Sequence, residues 1–320
     1  MGNRERKISK FTGRWITEQG AGTVEYVIVV LVAIVIGSGL LAFGNQVSGQ
    51  VTKTGDSISS WFSKANGTGG TGGGNAGGGN SEADSRIDEL KEKDPADWTL
   101  DDQKAVAEDI GKKGNSSELY AKAKAAMDAG TEWSIGLSNS KTMTYRIIGI
   151  NHDDLADSSG KAGLTFEATN GALGEQRMNA TNVNTGGWEK SKLRSRLNSG
   201  DLWALLPTEI QSKAKAVTKT TDNQGGGSVG TPSATTDKVF LLSASEVYGN
   251  IQSDGTQYEV YKSKGVSTSS YSGASSGLYH WTRSVGPSWS TGFRCVHEDG
   301  VAVASGTATS LNNVFPAFCF

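Results

Sequence analysis

The sequence predicts an α+β protein in which a long N-terminal α-helix, a glycine linker and a helical stalk precede a mixed α+β globular domain. Three observations predict this class. Apolar residues fill positions 27–43, glycine dominates positions 66–80, and short strand-like runs separated by Gly and Ser loops fill positions 132–320. Helical and strand-like runs do not alternate regularly in this last part, which favours α+β over a doubly wound sheet. We therefore divide the 320 residues into segments 1–20, 21–65, 66–80, 81–130 and 131–320.

The first segment is a basic leader placed before an apolar helix. An ordinary secretory signal is cut after its apolar run, next to small residues. Here the small pair Gly20-Ala21 comes before the run instead. Cleavage between these two residues would remove the leader, keep the helix in the mature chain and make Glu25 the fifth mature residue. The cationic residues of the leader are Arg4, Arg6, Lys7, Lys10 and Arg14.

The residues around this junction resemble a known signal. Gly20-Ala21, then Glu25-Tyr26, then a Val/Ile/Leu run resemble the class III signal peptide of type IV prepilins, and most closely the Flp pilins of tight-adherence (Tad) systems. The resemblance implies cleavage by a prepilin peptidase after Gly20, packing with other pilin subunits, and a role in assembly for Glu25 and Tyr26. The alternative is a plain membrane anchor with an incidental acid, although ionisable groups at membrane helices are rare without a function.

The apolar run also predicts where the protein is located. With its flanking residues, segment 27–43 is about long enough to cross a hydrocarbon core of ~30 Å. The basic leader predicts a cytoplasmic N-terminus, and hence a C-terminus outside the cell. The helix is expected to continue to Lys64 as one apolar stripe. We therefore expect the cell membrane first, with the C-terminus outside, and then an extracellular pilus or the cell surface.

Two connecting segments follow the helix. Segment 66–80 has the composition of a flexible linker and should span roughly 20 Å root-mean-square. Segment 81–130 is polar and helical, with Thr99 and Asp102 spaced as a helix N-cap and with Gly114 and Gly130 at helix ends. Because it has few large apolar residues, we expect a solvated spacer.

The globular domain should contain seven strands and two or three helices. Its predicted strands are Tyr145–Ile150, Leu164–Ala168, Val239–Ser243, Tyr279–Ser284, Phe293–Glu298, Val301–Ser305 and Val314–Phe320. Its predicted helices are Glu189–Asn198 and Glu209–Val217, with a short turn at Leu202–Leu206.

Several short motifs in this domain resemble a bacterial surface-domain family of unknown function, which is similar to the formylglycine-generating-enzyme and C-type-lectin-like folds. The resemblance implies a compact domain with an irregular, loop-rich surface suited to binding, without specifying a ligand. The motifs are Tyr145-Arg146-Ile147-Ile148-Gly149, Gly187-Trp188-Glu189, Leu193-Arg194, Leu197-Asn198, Trp281-Thr282-Arg283-Ser284, Asp299-Gly300 and Val314-Phe315-Pro316-Ala317-Phe318.

Two residues are candidates for ligand contact. Trp289 lies in the turn-rich loop Gly286-Pro287-Ser288-Trp289-Ser290, where a tryptophan has no obvious place in a core. A glycan or another surface ligand could bind there. Arg283 is the second candidate, with the alternative that it holds a buried carboxylate or carbonyl. The other tryptophans considered, Trp188, Trp203 and Trp281, are expected in the core.

Cys295 and Cys319 are the two cysteines of the chain. In an exported domain one disulfide between them is the simplest assumption, and two buried reduced cysteines are the alternative. Formylglycine-generating enzymes need a reactive cysteine pair close in sequence, whereas these two are 24 positions apart. We therefore expect no enzymatic activity.

Other residue patterns give no cofactor or metal site. His152, His280 and His297 share no metal-ligand spacing. The oxygen-rich segment 151–157 lacks the alternating ligands of an EF-hand, which favours an ordinary acidic loop. A net charge of −2 predicts no nucleic-acid partner.

Taken together, these features predict a pilin-like subunit of a tight-adherence or type IV pilus that displays a C-terminal binding domain for adhesion. Its expected partners are a prepilin peptidase, other pilin subunits, the membrane before assembly, and a glycan or surface ligand. One alternative is a membrane-anchored surface binding protein that never polymerises. A third is an extracellular enzyme of the formylglycine-generating type.

Overall fold

Two five-stranded sheets and one hairpin carry the strands of residues 80–320, the part of the chain that this computed structural model describes. These residues belong to one compact unit and are α+β, as the sequence predicts. The predicted leader and apolar helix, and residues 66–79 of the predicted linker, lie outside the described residues. Across residues 80–320, the helices are too short or too polar to cross a membrane.

The described helices and strands have the following bounds. The α-helices are α1 Asn80–Glu92, α2 Leu100–Lys113, α3 Tyr120–Ala129, α4 Lys192–Ser199, α5 Asp201–Leu205, α6 Thr208–Lys213, α7 Ala244–Tyr248 and α8 Glu259–Ser263. The strands are β1 Glu132–Gly136, β2 Thr142–Ile150, β3 Leu164–Ala168, β4 Glu175–Gln176, β5 Val217–Thr221, β6 Ser233–Asp237, β7 Val239–Phe240, β8 His280–Val285, β9 Gly292–Val296, β10 Ala302–Thr307, β11 Asn312–Asn313 and β12 Ala317–Cys319.

The strands pair over long distances in sequence. The first sheet has the order β1-β2-β3-β12-β7 with antiparallel neighbours. The second has the order β10-β9-β8-β11-β4, in which only the short β8–β11 contact is parallel. Strands β5 and β6 form a separate hairpin. Because β12 lies between β3 and β7, the last strand of the chain completes the first sheet.

Helices α2 and α3 pack against the first sheet and α1 packs on α2, so the prediction of a solvated spacer over 81–130 is wrong. Val106 and Ile110 of α2 and Leu119 are fully buried in the same core as the strands. Trp98 stacks on Trp133 of β1 with ring centroids 6.3 Å apart. The apolar residues of this segment are few, but they lie on one face, and burial depends on that spacing rather than on their number.

The predicted start of α2 is confirmed in detail. The Asp102 amide donates to Thr99 Oγ1 at 3.2 Å, and the Thr99 amide donates to Asp102 Oδ2 at 2.8 Å. This reciprocal arrangement is a capping box, which satisfies two amides that the first helical turn leaves free. Asp102 is also buried against Lys93, with its Oδ2 2.8 Å from the ammonium nitrogen. Its charge therefore belongs to the packed part of the helix.

The predicted strands largely match the structure, whereas some helices do not. Leu164–Ala168 is confirmed at both ends, and each of the other six predicted strands overlaps an observed one. The predicted helix Glu209–Val217 is wrong at its end, because α6 stops at Lys213 and Val217 begins β5. Strands β1, β4, β5, β6 and β11 were not predicted. Strands β5 and β6 are mostly polar and bury Lys219, Thr221, Thr235 and Asp237, so no apolar alternation marks them.

The predicted disulfide is also wrong, because Cys295 and Cys319 are both free and buried. Cys295 belongs to β9 in the second sheet, and Cys319 belongs to β12 in the first. Their sulfur atoms have different neighbours: Cys295 Sγ lies 3.5 Å from Asn312 Nδ2, and Cys319 Sγ lies 3.4 Å from Thr165 Oγ1. The alternative of two buried reduced cysteines is what the structure shows.

Candidate binding surface at the Trp289 loop

Trp289 is exposed, in contrast to the core tryptophans. Its side chain retains 51% of its accessible surface, whereas Trp188 and Trp281 are buried as expected and Trp203 is partly buried against the core. The loop that carries Trp289 connects β8 to β9. It is closed by the Gly286 amide, which donates to the Gly292 carbonyl at 2.9 Å.

A buried asparagine joins this loop to two others. Asn184 Nδ2 donates to the carbonyl oxygens of Trp289 at 2.5 Å and Gly292 at 2.7 Å, while its Oδ1 accepts from the Gly226 amide at 2.8 Å. The Asn184 amide also donates to the Ser290 carbonyl at 2.9 Å. We call the three loops 183–187, 222–230 and 286–292 the Asn184 loop cluster. These four hydrogen bonds, all made by the buried Asn184, hold the backbone of the three loops in a defined conformation.

The glycines of the second loop are required by this close approach. Gly225 adopts a φ of 61°, and a Cβ at this position would lie 2.1 Å from the Asn184 carbonyl oxygen. Only glycine accommodates both the left-handed conformation and the contact. The run Gly225-Gly226-Gly227 thus brings this backbone against Asn184.

Each loop of the cluster presents one exposed apolar side chain. Val183 is 46% exposed and Val229 is 75% exposed, in addition to Trp289. The structure shows five large apolar side chains exposed within residues 84–320, and three of them belong to this cluster. Exposed apolar groups concentrated on rigid loops are typical of binding surfaces.

A cavity of about 250 Å³ adjoins the cluster. Its apolar wall includes Val229, Pro232, Ile251 and Pro287, and its polar lining includes Asp254 and Arg294, among others. Asp254 is almost completely buried and its Oδ1 has no hydrogen-bond partner among the described residues. A buried carboxylate oxygen is costly when unpaired. The cavity therefore has polar residues, Asp254 and Arg294, beside apolar walls.

Arg283, the second candidate for ligand contact, is instead buried in the protein interior, so that prediction is wrong. It has no exposed surface. Its guanidinium forms a salt bridge with Glu246, and its Nε donates to Thr221 Oγ1 at 2.8 Å. The remaining N–H groups reach backbone carbonyls, including those of Leu241 and Asp254, both at 2.9 Å. The alternative, that Arg283 holds a buried carboxylate and carbonyls, is correct.

Residues 120–320 match the model of a family described as "Domain of unknown function (DUF6273)". This chain belongs to the DUF6273 family. Searches of the curated proteins and of the solved structures find no match. The match begins at the first residue of α3, so it contains both sheets and the Asn184 loop cluster but not α1 or α2.

Arg283 is one end of a buried charge network in the DUF6273 domain. Glu246 also binds the Lys219 ammonium at 2.6 Å, which in turn binds Asp153 Oδ1 at 2.6 Å. Burial alone would raise the pKa of Glu246, but Arg283 and Lys219 outweigh it and lower that pKa. Lys219 likewise holds the pKa of Asp153 well below its ordinary value against the effect of burial. All four side chains are therefore charged and paired.

Sequence reasoning missed Glu246 and Lys219, although one signal was present for the first. Ser243 and Glu246 have the spacing of a capping box, and the structure forms it at the start of α7. Asp153 belongs to the oxygen-rich segment 151–157, and its oxygens bind Lys219 and the Tyr258 hydroxyl. No cluster of three or more His, Cys, Asp or Glu side chains within the described residues has a metal-binding arrangement.

The thiols of the DUF6273 domain are poor nucleophiles at neutral pH. Burial raises the pKa of Cys295 to about 12. Burial also raises the pKa of Cys319 well above its ordinary value, and the nearby Asp153 carboxylate adds to this. Since the thiolate is the reactive form, neither residue has the environment of a catalytic cysteine.

Proposed function

We propose that this protein is a pilin-like subunit of a tight-adherence or related type IV pilus and displays its DUF6273 domain for adhesion. One observation carries the proposal: the order basic leader, Gly20-Ala21, Glu25-Tyr26 and apolar run resembles Flp prepilins. In this proposal a prepilin peptidase removes the leader at the membrane. Segment 21–65 then packs with other subunits and carries the DUF6273 domain to the cell surface.

The Asn184 loop cluster supports the binding part of this proposal. Trp289 offers a large, half-exposed aromatic surface on a backbone that four hydrogen bonds hold in place. Aromatic side chains on rigid loops bind ligands with little loss of conformational entropy. In the proposal, a glycan or another surface ligand contacts Trp289 and the adjoining cavity.

We also propose that the domain is related to the C-type-lectin-like fold. The α+β architecture and the two sheets are consistent with this relationship. The motifs Trp281-Thr282-Arg283-Ser284 and Val314-Phe315-Pro316-Ala317-Phe318 are packing residues, and their burial agrees with a role in the fold.

Cleavage and shearing test the proposed function. In the native strain, N-terminal sequencing of the mature protein should begin at Ala21, and the protein should appear in filaments sheared from cells. Gly20→Leu should leave uncleaved precursor in the membrane, whereas Gly13→Leu, within the leader, should be processed normally. An intact leader in the wild-type protein, or its absence from sheared filaments, contradicts the proposal.

A membrane-anchored surface receptor that never polymerises is the second candidate. The described domain is far larger than segment 21–65, and an anchored receptor would use the same exposed Trp289 surface. Retention of all the protein in the membrane fraction after shearing would favour it. The buried thiols, with their raised pKa values, give no support to an enzyme of the formylglycine-generating type.

A further inference from the structure

A second cavity lies on the face of the first sheet opposite to α2. Along β2 and β3, Tyr145 and Phe166 contact Trp133 and the aromatic core on one face. Arg146 and Glu167, the next residues on each strand, are paired across the strands. Since successive side chains alternate between faces, these two point to the opposite side. There, with Tyr261 of α8 and loop residues 274–276, they line a cavity of about 170 Å³.

Arg146 forms no salt bridge to the described residues, although Glu132 and Glu167 lie opposite it on the neighbouring strands. Across residues 80–320, Arg86, Arg194, Arg196 and Arg283 form salt bridges, but Arg146 forms none. Its Nε atom is buried and makes no hydrogen bond to the described residues. The guanidinium carbon lies 5.9 Å from the centre of the Tyr261 ring, in a cation–π position. This contact holds the side chain at the cavity and leaves hydrogen-bond donors for another molecule.

The neighbouring acid bonds to Tyr261 and forms no salt bridge with Arg146. Glu167 is buried, and its Oε2 accepts a hydrogen bond from the Tyr261 hydroxyl at 2.6 Å. Burial raises the pKa of Glu167, more than Arg146 and Tyr261 lower it. A second carboxylate, Glu132, is exposed at the rim. The Arg146 guanidinium is therefore the single cation of this lining, and no salt bridge within the described part of the chain holds it.

The remaining lining supplies neutral polar groups and one stacked pair of rings. Thr169, Ser275 and Ser276 line the cavity, and their hydroxyl groups bond Thr144 Oγ1 and the carbonyls of Glu298 and Leu278. His280 stacks on Phe315 with ring centroids 4.3 Å apart. Burial lowers the pKa of His280 to about 4, so its ring is neutral at physiological pH. Arg146 is thus the charged anchor of a hydroxyl-lined cavity.

We propose that this Arg146 cavity binds the carboxylate of a small acidic ligand, and that an acidic monosaccharide matches it best. A guanidinium presents two parallel N–H groups that fit a carboxylate in a bidentate manner. Hydroxyl groups around the anchor suit a polyhydroxylated ring. The site is separate from the Asn184 loop cluster, and its binding chemistry does not depend on filament assembly.

Calorimetric titration of the purified full-length protein in mild detergent tests this proposal. Glucuronate should bind, while glucose, which lacks the carboxylate, should bind at least tenfold more weakly. Arg146→Gln should weaken glucuronate binding at least tenfold, whereas Arg177→Gln, at an exposed arginine, should leave it unchanged. Equal binding of glucose, no binding of glucuronate, or an unaffected Arg146→Gln variant would overturn the proposal.

Two further titrations serve as controls. The first distinguishes recognition of a carboxylate from attraction of any anion. The second distinguishes loss of the site from loss of the fold. Inorganic phosphate should bind more weakly than glucuronate, and the opposite order would overturn the carboxylate assignment. If Arg146→Gln does not fold, Ser275→Trp keeps the arginine and places a bulky group at the exposed rim. Ser275→Trp should weaken glucuronate binding, while the exposed control Ser269→Trp should not. Because neither titration involves filaments, loss of piliation and loss of carboxylate binding can be told apart.

Discussion

In this domain, burial and neighbouring charges determine the pKa of each carboxyl group and the pairing of each arginine. Arg283 and Arg146 are both arginines on sheet strands, yet the first has a carboxylate partner and the second lines a cavity. The carboxylates differ in the same way. Glu246 faces two cations and its pKa is lowered, whereas burial raises the pKa of Glu167. Because these two pKa shifts have opposite signs, Glu246 and Glu167 change the free energy of unfolding in opposite directions as pH rises.

The Glu167→Gln variant tests the raised pKa of Glu167 through the pH dependence of unfolding. A carboxyl with a raised folded pKa contributes stability that is fully present below its unfolded pKa of about 4.3 and is lost as pH rises through the folded pKa. Glutamine cannot ionise and so avoids that loss. The free energy of unfolding of Glu167→Gln, relative to wild type, should therefore increase from pH 4 to pH 8 in urea titrations. A pH-independent difference would contradict the assigned shift.

The residue-level features were only partly predictable from sequence. The sequence suggested that Arg283 holds a carboxylate and that Trp289 has no place in the core, and both agree with the structure. It could not show that Arg146 meets Glu167, because that pair depends on the register between β2 and β3. Registers are set by packing over the whole sheet and not by the local pattern.

For helices and loops too, the sequence predicts local features but not contacts between distant segments. The capping box at Thr99 marks the start of α2 correctly, because it acts within four residues. The packing of segment 81–130 against the first sheet was missed, because it depends on contacts such as Trp98 with Trp133. Likewise, the sequence run Gly225-Gly226-Gly227 did not predict the contact of this loop with Asn184.

In the Asn184 loop cluster, we expect a substitution at Trp289 to weaken ligand binding without destabilising the fold. Trp289→Ala removes a half-exposed ring and should change the free energy of unfolding by less than about 0.5 kcal/mol. If Trp289 anchors a ligand, the same change should cost roughly 2 kcal/mol of binding, about thirtyfold in affinity. Adhesion of piliated cells to mucin-coated wells should fall accordingly.

Leu311→Ala is the matched control for this loop, because Leu311 is also exposed but lies outside the cluster. It should leave adhesion unchanged. Equal adhesion by wild type and Trp289→Ala, with normal numbers of filaments, would remove Trp289 from the proposed binding surface.

At the scale of the whole molecule, the proposal assigns assembly and binding to different parts of the chain. The assembly residues Glu25 and Tyr26 lie outside the described residues, and the DUF6273 match begins at position 120. The described unit has its own core, formed by residues from Leu90 to Phe320. Changes in the N-terminal segment should therefore act on assembly without altering the fold of the domain.

Glu25 provides the test of this separation. In the proposed mature chain, the α-amine of Ala21 is a cation at the apolar end of a helix, and Glu25 lies four residues along, on the same helical face. An unpaired charge in such surroundings costs several kcal/mol, whereas a hydrogen-bonded pair is tolerated. In the proposed filament, the Glu25 carboxylate meets the Ala21 amine of a neighbouring subunit. Such a contact would set the axial offset between subunits.

We therefore expect Glu25→Ala and Glu25→Gln to be inserted into the membrane and to fold their DUF6273 domain, but to form few filaments. Electron microscopy of a strain that lacks the wild-type copy measures piliation, and limited proteolysis of the membrane fraction measures folding of the domain. Glu18→Gln, in the leader that cleavage removes, is the control and should assemble normally. Normal piliation by Glu25→Ala would exclude Glu25 from assembly. Loss of the folded domain in that variant would show that the two parts are not independent.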